Sequence, residues 1–384
     1  MRVLDAFGKC ILASGIAAAL LASPGTAYAR GYKVLYTFCS QKYCADGAFP
    51  HGVIKDRAGN LYGTASEGGT YNRGVVFKVA ADGTETVLHT FCSQNQCADG
   101  AFPSGRLIRD GAGNLYGATA EGGTGGDGVV FKLAPDGTET LLYTNWGASS
   151  GLIRDSAGNL YGTSGAGGPY GQGFVFRLAP DGNETVLHAF TGGSSDGANP
   201  ELGVIEDESG NLYGTTPYGG LDTCGQFLGC GVIFKIAPDG TETVLYRFGN
   251  ADGAVPMAGL IMDKAGNFYG TTLYGGTRSE GVVYRFTADG KETVLYRFSG
   301  AGEVCSDGCG PFGELVRDTA GNLYGATQNG GTYDFGTVFK LAADGTETVL
   351  HSFPNLDEPF SGLIKDNAGN LYGTTENTVF RLRK

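Results

Sequence analysis

The chain has 384 residues, of which 68 are glycine and only 17% are charged, and its formal net charge is −12. Glycine without a three-residue period and only 13 prolines exclude collagen, and 41% hydrophobic residues exclude a disordered chain. The negative balance argues against nucleic-acid binding, which needs a basic surface. Because each glycine costs about 1 kcal/mol relative to alanine in a helix, the composition favours an all-β protein.

The chain begins with the features of a secretory signal peptide. A weakly basic start precedes an apolar run at 10–22, and Ala27-Tyr28-Ala29 forms a small-residue cleavage pattern. This run is too short to span a membrane, and no later apolar run is long enough, so we expect no transmembrane segment. We therefore predict that residues 1–29 are a signal peptide and that 30–384 form a single domain of a secreted or periplasmic protein.

One phrase, GNLYGTT with small changes, occurs seven times along the chain. The copies begin at Gly59, Gly113, Gly158, Gly210, Gly266, Gly321 and Gly369. Repetition at a period of roughly fifty residues is typical of repeat architectures.

Each repeat contains four strand-like runs in a fixed order. In the first repeat these are GVIKD at 52–56, NLYGTA at 60–65, GVVFKV at 74–79 and ETVLHTF at 85–91. All are rich in β-branched or aromatic residues and are bounded by turn residues. Short Gly-Asn and Asp-Gly turns join the first run to the second and the third to the fourth, whereas the other two connections are long.

Seven four-stranded repeats predict an all-β fold, a seven-bladed β-propeller of antiparallel blades. The chain termini support this prediction. Residues 32–38 read as a fourth run with nothing before it, and 378–384 read as a third run with no fourth after it. We therefore expect the N-terminal strand 32–38 to complete the last blade and close the ring, with all the long loops on one face.

The phrase AGNLYGTT…GG…VFKLAPDGTETVLYxF, at 158–190 and 210–248, resembles the GloVer-type tandem repeat of exported bacterial proteins. The resemblance implies a secreted or surface repeat protein and supplies no catalytic residues. Proteins of this kind often end in a surface-anchoring tail, whereas this chain ends at Arg383-Lys384 directly after the last strand. The D-x-x-G-N-L-Y pattern is also similar to repeats of streptogramin-lyase-like propellers, which implies an enzyme alternative.

Eight cysteines follow the leader in four close pairs. An even number in an exported chain predicts disulfides, and the rival metal site lacks both CxxC spacing and neighbouring histidines. We therefore predict the pairs Cys39–Cys44, Cys92–Cys97, Cys224–Cys230 and Cys305–Cys309, with no metal site and no cofactor. Calcium stays conceivable, although no EF-hand pattern supports it.

The loops before the first strands carry the candidate ligand-binding residues. The motif D-G-x-x-P, or a close relative, recurs in these loops at Asp46, Asp99, Asp196, Asp252 and Asp307. Its carboxylates either surround the channel mouth as a site for a polar ligand or Ca²⁺, or they only shape the turn. Trp146, the only tryptophan, lies in the shortest of these loops, which has neither this motif nor a cysteine pair.

Histidine supplies the only candidate for acid–base catalysis. His51 is the one histidine in these loops and is the candidate general base. His89, His188 and His351 take the place of tyrosine in fourth strands, where we expect them to pack.

Three functions fit these loops, which are acidic and contain aromatic residues. The first is a binding or scaffold protein that engages a glycan or cell-envelope component, because aromatic rings stack on sugars and carboxylates accept hydroxyl hydrogen bonds. The second is a propeller lyase or glycoside-active enzyme that uses His51 with Asp46 or Asp99. The third is a purely structural surface protein. We favour the first, expect a monomer, and lean against an enzyme.

Overall fold

Each blade of the computed structural model is a four-stranded antiparallel sheet, to which the first blade adds one further short strand. The model describes residues 31–144, 151–225, 228–299, 305–354, 357–359 and 361–383. The predicted signal peptide and Trp146 lie outside these residues, so both predictions stay predictions. Within the described residues no helix is long and apolar enough to cross a membrane.

The strands follow one another in chain order, from the inner to the outer strand of each blade. Strands of the first three blades and the closing strand are β1 Tyr32–Thr37, β2 Ala48–Pro50, β3 Ile54–Lys55, β4 Leu61–Glu67, β5 Val75–Val79, β6 Glu85–Thr90, β7 Ala101–Arg109, β8 Leu115–Glu121, β9 Val129–Leu133, β10 Glu139–Thr144, β11 Ile153–Arg154, β12 Leu160–Ser164, β13 Phe174–Leu178 and β14 Glu184–Ala189. Two short 3-10 helices, Lys42–Cys44 and Asn95–Cys97, lie in the connecting loops.

The remaining four blades repeat this arrangement. Their strands are β15 Gly197–Ala198, β16 Ile205–Glu206, β17 Leu212–Thr216, β18 Tyr218–Gly219, β19 Val232–Ile236, β20 Glu242–Arg247, β21 Ile261–Met262, β22 Phe268–Thr272, β23 Val282–Phe286, β24 Glu292–Arg297, β25 Cys309–Arg317, β26 Leu323–Asn329, β27 Thr337–Leu341, β28 Glu347–Ser352, β29 Ile364–Lys365, β30 Leu371–Thr374 and β31 Thr378–Leu382. In blade 4, β15 and β18 form an additional two-stranded ribbon.

The N-terminal strand closes the ring as predicted. The last sheet has the order β1-β31-β30-β29, so β1 is the outer strand of blade 7. Tyr32 pairs with Leu382 and Thr37 with Thr378 in an antiparallel register. The first and last repeats therefore share one sheet, and the pairing covers the edge of β31 that would otherwise be exposed.

A hydrogen-bonded turn joins the first and second strands of every blade. In blade 1, Asp56 accepts hydrogen bonds from the backbone N–H and side-chain amide of Asn60 and from the hydroxyl of Tyr62. The same three contacts recur at Asp110, Asp155, Asp207, Asp263, Asp318 and Asp366. The NLYG tyrosine thus donates to a turn in addition to packing.

Aromatic rings fill the space between blades. Phe77 of β5 is fully buried, and a Cβ added to Gly63 on β4 would lie 2.6 Å from its ring, so only glycine leaves room for it. Phe38, directly after β1, packs on Phe77 with ring centroids 4.6 Å apart. Equivalent pairs join five further junctions: Phe91–Phe131, Phe190–Phe234, Phe248–Tyr284, Phe298–Phe339 and Phe353–Phe380.

Both kinds of long loop lie on the same face of the ring. In blade 1 the backbone N–H of Gly69, in the loop between the second and third strands, donates to the carbonyl of Cys44, in the loop before the first strand. The same backbone contact recurs at Gly123, Gly220, Gly276 and Gly331. We call the surface formed by these two sets of loops the loop face.

The closing strand yields a test of the ring. A chain that lacks residues 31–38 loses the β1–β31 pairing and the Phe38–Phe77 contact, and we expect it to melt well below a chain that begins at Gly31. Burial of a phenylalanine alone contributes about 3–5 kcal/mol. A synthetic peptide of residues 31–38 should restore much of the melting temperature in trans. Equal melting temperatures of the two chains would contradict closure by this strand.

Candidate functional site

The aspartates of the D-G-x-x-P motif point into their own loops. The Asp46 side chain is fully buried and accepts hydrogen bonds from the Tyr36 hydroxyl at 2.8 Å and from the Ser40 backbone and hydroxyl at 3.0 and 2.8 Å. Asp99, equally buried, accepts from the Ser93 backbone and hydroxyl at 2.8 and 2.6 Å. Each carboxylate fixes the loop that contains it.

The other three motif aspartates make contacts of the same kind. Asp196 accepts from the Thr191 backbone N–H at 2.7 Å. Asp252 accepts from the Tyr246 hydroxyl and from the Gly249 N–H, and Asp307 accepts from the Tyr296 hydroxyl at 2.8 Å. The five carboxylates that the sequence offers as ligand-binding groups thus accept hydrogen bonds from their own loops or from the preceding strand.

A glutamate of the following blade lies beside each motif aspartate. Burial, with the neighbouring aspartate, raises the pKa of Glu85, Glu292 and Glu347 to about 7 and that of Glu139 to about 8. It also raises the pKa of Glu242. In all five, the Oε1 atom is buried and has no hydrogen-bond partner. The carboxyl groups of Glu85, Glu139, Glu292 and Glu347 are therefore in large part protonated at neutral pH.

The candidate general base His51 lies at the start of the inner strand region of blade 1. Its backbone N–H donates to the carbonyl of Thr64 at 2.7 Å. Burial lowers the pKa of the imidazole to about 4. The side chain is therefore neutral at pH 7, and a base of such low pKa abstracts protons weakly.

The central channel is lined by seven equivalent positions, of which two break the symmetry. Five of these positions are glycine: Gly52, Gly151, Gly203, Gly259 and Gly362. The other two are Arg106 in blade 2 and Glu314 in blade 6, and their side chains form an ion pair. Because these blades are not neighbours, the pair crosses the channel. A Cβ at Gly259 would lie 2.7 Å from Glu314 Oε1, so the glycines leave the space that the pair occupies.

Exposed aromatic side chains lie on the loop face. Tyr43 is 83% exposed, Tyr170 60%, Tyr71 51% and Tyr333 44%. Tyr71, Tyr170 and Tyr333 occupy the same position, two residues after the Gly-Gly pair, in blades 1, 3 and 6. Sequence reasoning expected aromatic residues in these loops but missed Tyr71, although its equivalent position in the repeat could have identified it.

Exposed carboxylates share these loops. Glu67 and Glu121, which end the second strands of blades 1 and 2, are exposed, as are Asp127, Asp222 and Asp334 in the connections to third strands. These side chains thus give the loop face the acidic character that the sequence predicts, whereas the motif aspartates beneath them already accept hydrogen bonds within the protein.

Three of the four predicted disulfides are present. Cys39–Cys44, Cys92–Cys97 and Cys224–Cys230 are joined within loops of this face. Cys305 and Cys309 are free thiols instead of the predicted fourth disulfide, and their sulfur atoms and a carboxylate oxygen of Glu280 all lie within 4.8 Å of one another.

Comparison with known families decides the family of this chain. The Gloeobacter/Verrucomicrobia repeat matches residues 23–228 and 148–380. The chain belongs to this repeat family. The match confirms the resemblance seen in the repeated phrase. No curated protein matches the sequence.

Solved structures similar to this member of the repeat family are propellers. A streptogramin B lyase has a TM-score of 0.64 at 13% identity and covers 93% of this chain and 99% of its own. The virginiamycin B lyase from Staphylococcus aureus has a TM-score of 0.65 at 13% identity, with 92% and 99% covered. The extracellular domain of a putative one-component system from B. thetaiotaomicron has a TM-score of 0.62 at 10% identity, with 93% and 40% covered. At such identities the likeness concerns the fold.

The raised glutamate pKa values predict a stability that depends on pH. Because the pKa of Glu347 is about 7 in the folded chain and near 4.5 when unfolded, its contribution is present below about pH 4.5 and is lost as pH rises through 7. Glu347→Gln, which mimics the protonated form, should reduce the loss of unfolding free energy between pH 5 and pH 8 by roughly 1 kcal/mol after solvent screening. Urea denaturation at both pH values measures this. The exposed Glu67→Gln is the control, and parallel pH profiles for Glu347→Gln and wild type would contradict the expectation.

The channel ion pair predicts coupling between distant blades. Arg106 and Glu314 are about one third exposed, at 35% and 33%, so Arg106→Gln should cost roughly 1 kcal/mol by leaving Glu314 without its countercharge. Glu314→Gln in the same chain should recover part of that cost. A double-mutant cycle by urea denaturation measures the coupling, and strictly additive effects would show that the two side chains act independently.

Proposed function

We propose that this protein is an exported propeller that binds a neutral or amino-bearing polysaccharide of the cell envelope through the tyrosines of its loop face. The observation that carries the proposal is the exposure of Tyr43, Tyr71, Tyr170 and Tyr333 on the same face of the ring. Exposed tyrosines offer flat apolar rings that stack on the C–H faces of sugars and hydroxyls that form hydrogen bonds at the rim. With few rotatable bonds, they lose little entropy on binding.

The charge of the loop face narrows the class of ligand. The exposed carboxylates of Glu67, Glu121, Asp127, Asp222 and Asp334 accept hydrogen bonds from sugar hydroxyls and attract ammonium groups. They repel a polyanion such as a uronic-acid polysaccharide. A neutral or amino-bearing sugar chain therefore fits this surface better than an acidic one.

The loops that present the tyrosines are held in shape. Tyr43 lies between Cys39 and Cys44, which form a disulfide, and Asp46 anchors the same loop from below. The loop of Tyr71 is tied to it by the Gly69–Cys44 backbone hydrogen bond. Such rigid loops reduce the entropic cost of binding, and their disulfides suit an exported protein.

The enzyme alternative has less support in the same residues. His51 is a weak base with a pKa of about 4, and Asp46 and Asp99 are occupied by loop hydrogen bonds. Binding needs none of these groups to react. A purely structural role gives no reason for tyrosines to be exposed on this face, so it leaves this observation unexplained.

The proposal is tested by replacing the equivalent tyrosines. The triple variant Tyr71→Ala, Tyr170→Ala, Tyr333→Ala should bind chitosan or a neutral glucan roughly tenfold or more weakly than wild type, as measured by affinity electrophoresis. Each ring is expected to contribute about 1 kcal/mol or less to the binding free energy. Alginate should bind neither protein. The control is Val186→Ala, which alters a side chain that is 47% exposed on the outer strand of blade 3.

The outcomes separate the three functions. Unchanged retention of the triple variant, with an unchanged melting temperature, contradicts binding through these tyrosines. Shortening of the polysaccharide during incubation, abolished by His51→Ala, favours the enzyme. Absence of retention by any of the polysaccharides favours the structural role.

A further inference from the structure

The junctions between blades repeat one polar contact with a variation. A side chain on the outer strand of one blade lies beside two carboxylates. One is the motif aspartate of the loop that leads to the next blade, and the other is a glutamate on the outer strand of that next blade. At three junctions that side chain is a tyrosine whose hydroxyl donates to the aspartate, in the pairs Tyr36–Asp46, Tyr246–Asp252 and Tyr296–Asp307. At two others a histidine takes the place of the tyrosine, His89 beside Asp99 and His188 beside Asp196.

The histidine of the first such junction leaves polar atoms without hydrogen bonds. His89 Nε2 lies 3.8 Å from Asp99 Oδ2 and 3.6 Å from Glu139 Oε1, beyond hydrogen-bond distance in both cases. Both His89 Nε2 and Glu139 Oε1 are buried without a hydrogen-bond partner. The Glu139 side chain is only 9% exposed and that of Asp99 is fully buried. Buried polar atoms without partners are costly, and one ion bound between His89 Nε2 and Glu139 Oε1 would satisfy both.

We propose that His89, Asp99 and Glu139 bind a divalent transition-metal ion of the zinc type at the junction of blades 1 and 2. One ligand atom from each residue lies within 4.8 Å of the others. In a tetrahedral zinc site with bonds near 2.1 Å, neighbouring ligand atoms are about 3.4 Å apart, close to the separations of His89 Nε2 from the two carboxylates. Water would complete the coordination.

The donor set decides between classes of metal. One imidazole nitrogen and two carboxylates suit zinc and its neighbours, whereas calcium prefers six to eight oxygen ligands. The Asp99 carboxylate is oriented by the backbone N–H groups of Ser93 and Gln94 and by the Ser93 hydroxyl. Hydrogen bonds of this kind fix a ligand before the metal arrives, and a carboxylate has lone pairs to spare for it.

A second and weaker copy of the site lies between blades 3 and 4. His188, Asp196 and Glu242 also place one ligand atom each within 4.8 Å, and His188 Nε2 is 3.4 Å from Asp196 Oδ2. The positive charge of Arg247 acts on Glu242 and competes with a cation. We therefore expect this copy to bind the metal less tightly than the first.

A third histidine shows what the site requires. His351 occupies the same position of β28 at the junction of blades 6 and 7. Tyr32 stands there in place of the glutamate and stacks on the imidazole with ring centroids 4.0 Å apart. A histidine in this slot thus gains metal ligands only where aspartate and glutamate accompany it. The site uses none of the exposed tyrosines of the proposed glycan surface, so the two proposals can be tested separately.

Metal titration of histidine variants tests the inference. All chains carry Cys305→Ser and Cys309→Ser, so that the two thiols near Glu280 bind no metal. Each chain is stripped with EDTA and titrated with Zn²⁺ by calorimetry and with Co²⁺ by visible absorption. The reference chain should bind two equivalents with different affinities. His89→Tyr should lose the tighter equivalent, His188→Tyr the weaker one, and the double variant both.

Matched controls separate metal loss from misfolding. Tyrosine is the native residue at the equivalent position of four other outer strands, so His89→Tyr should fold, which the melting temperature in EDTA verifies. His351→Tyr should leave both equivalents in place. The melting temperature of the reference chain should rise with Zn²⁺ and that of the double variant should not. Absence of bound metal in the reference chain, or equal stoichiometry in the double variant, would overturn the inference.

Discussion

The aromatic contact between neighbouring blades is the interaction on which the rest of the structure depends. A ring at the end of one outer strand packs on a ring of the next blade's third strand, and that second ring lies against a glycine of its own sheet. The glycine sets how closely the rings approach and therefore how far one blade is displaced from the next. Seven displacements must add up to a full circle, and β1 completes it by pairing with β31. Inner strands then converge on the channel, and all long connections emerge on one face.

Two sets of carboxylates, one in the turns within blades and one at the junctions between blades, make the stability of the ring depend on pH in opposite directions. The turn aspartates, such as Asp56, accept several hydrogen bonds, which hold their pKa below the usual value, so their contribution to stability is lost as pH falls. Glutamates such as Glu292 have a pKa of about 7, because burial and Asp252 disfavour the charged form, so their contribution is lost as pH rises. We therefore expect the ring to be most stable between these limits, and the upper limit arises because burial at the junction of two blades, together with the neighbouring aspartate, disfavours the charged glutamate.

The sequence predicted the fold more fully than the site, and the reason is physical. Strands, turns and the incomplete end repeats are local patterns, so the blades and their closure by residues 32–38 followed from repetition alone. Contacts between blades depend on ring geometry, which no single repeat contains. Local patterns do not show that Glu139 faces His89 or that Arg106 meets Glu314 across the channel. The prediction of no metal site rested on cysteine spacing, which does not report on residues that ring closure brings together from different repeats, and it stays a prediction.

Departures from the repeat distinguish function from architecture in this ring. A residue that recurs in every blade, such as the turn aspartate or the glycine beneath the ring, serves the blade itself. A residue that changes between blades serves something else. Arg106 and Glu314 replace channel glycines, histidine replaces tyrosine beside Asp99 and Asp196, and tyrosine follows the Gly-Gly pair only in blades 1, 3 and 6. The motif aspartates recur in five blades and make hydrogen bonds within their own loops, so their role is structural. The exposed tyrosines and the histidines at the junctions are positions where selection for a ligand can act without disturbing the fold.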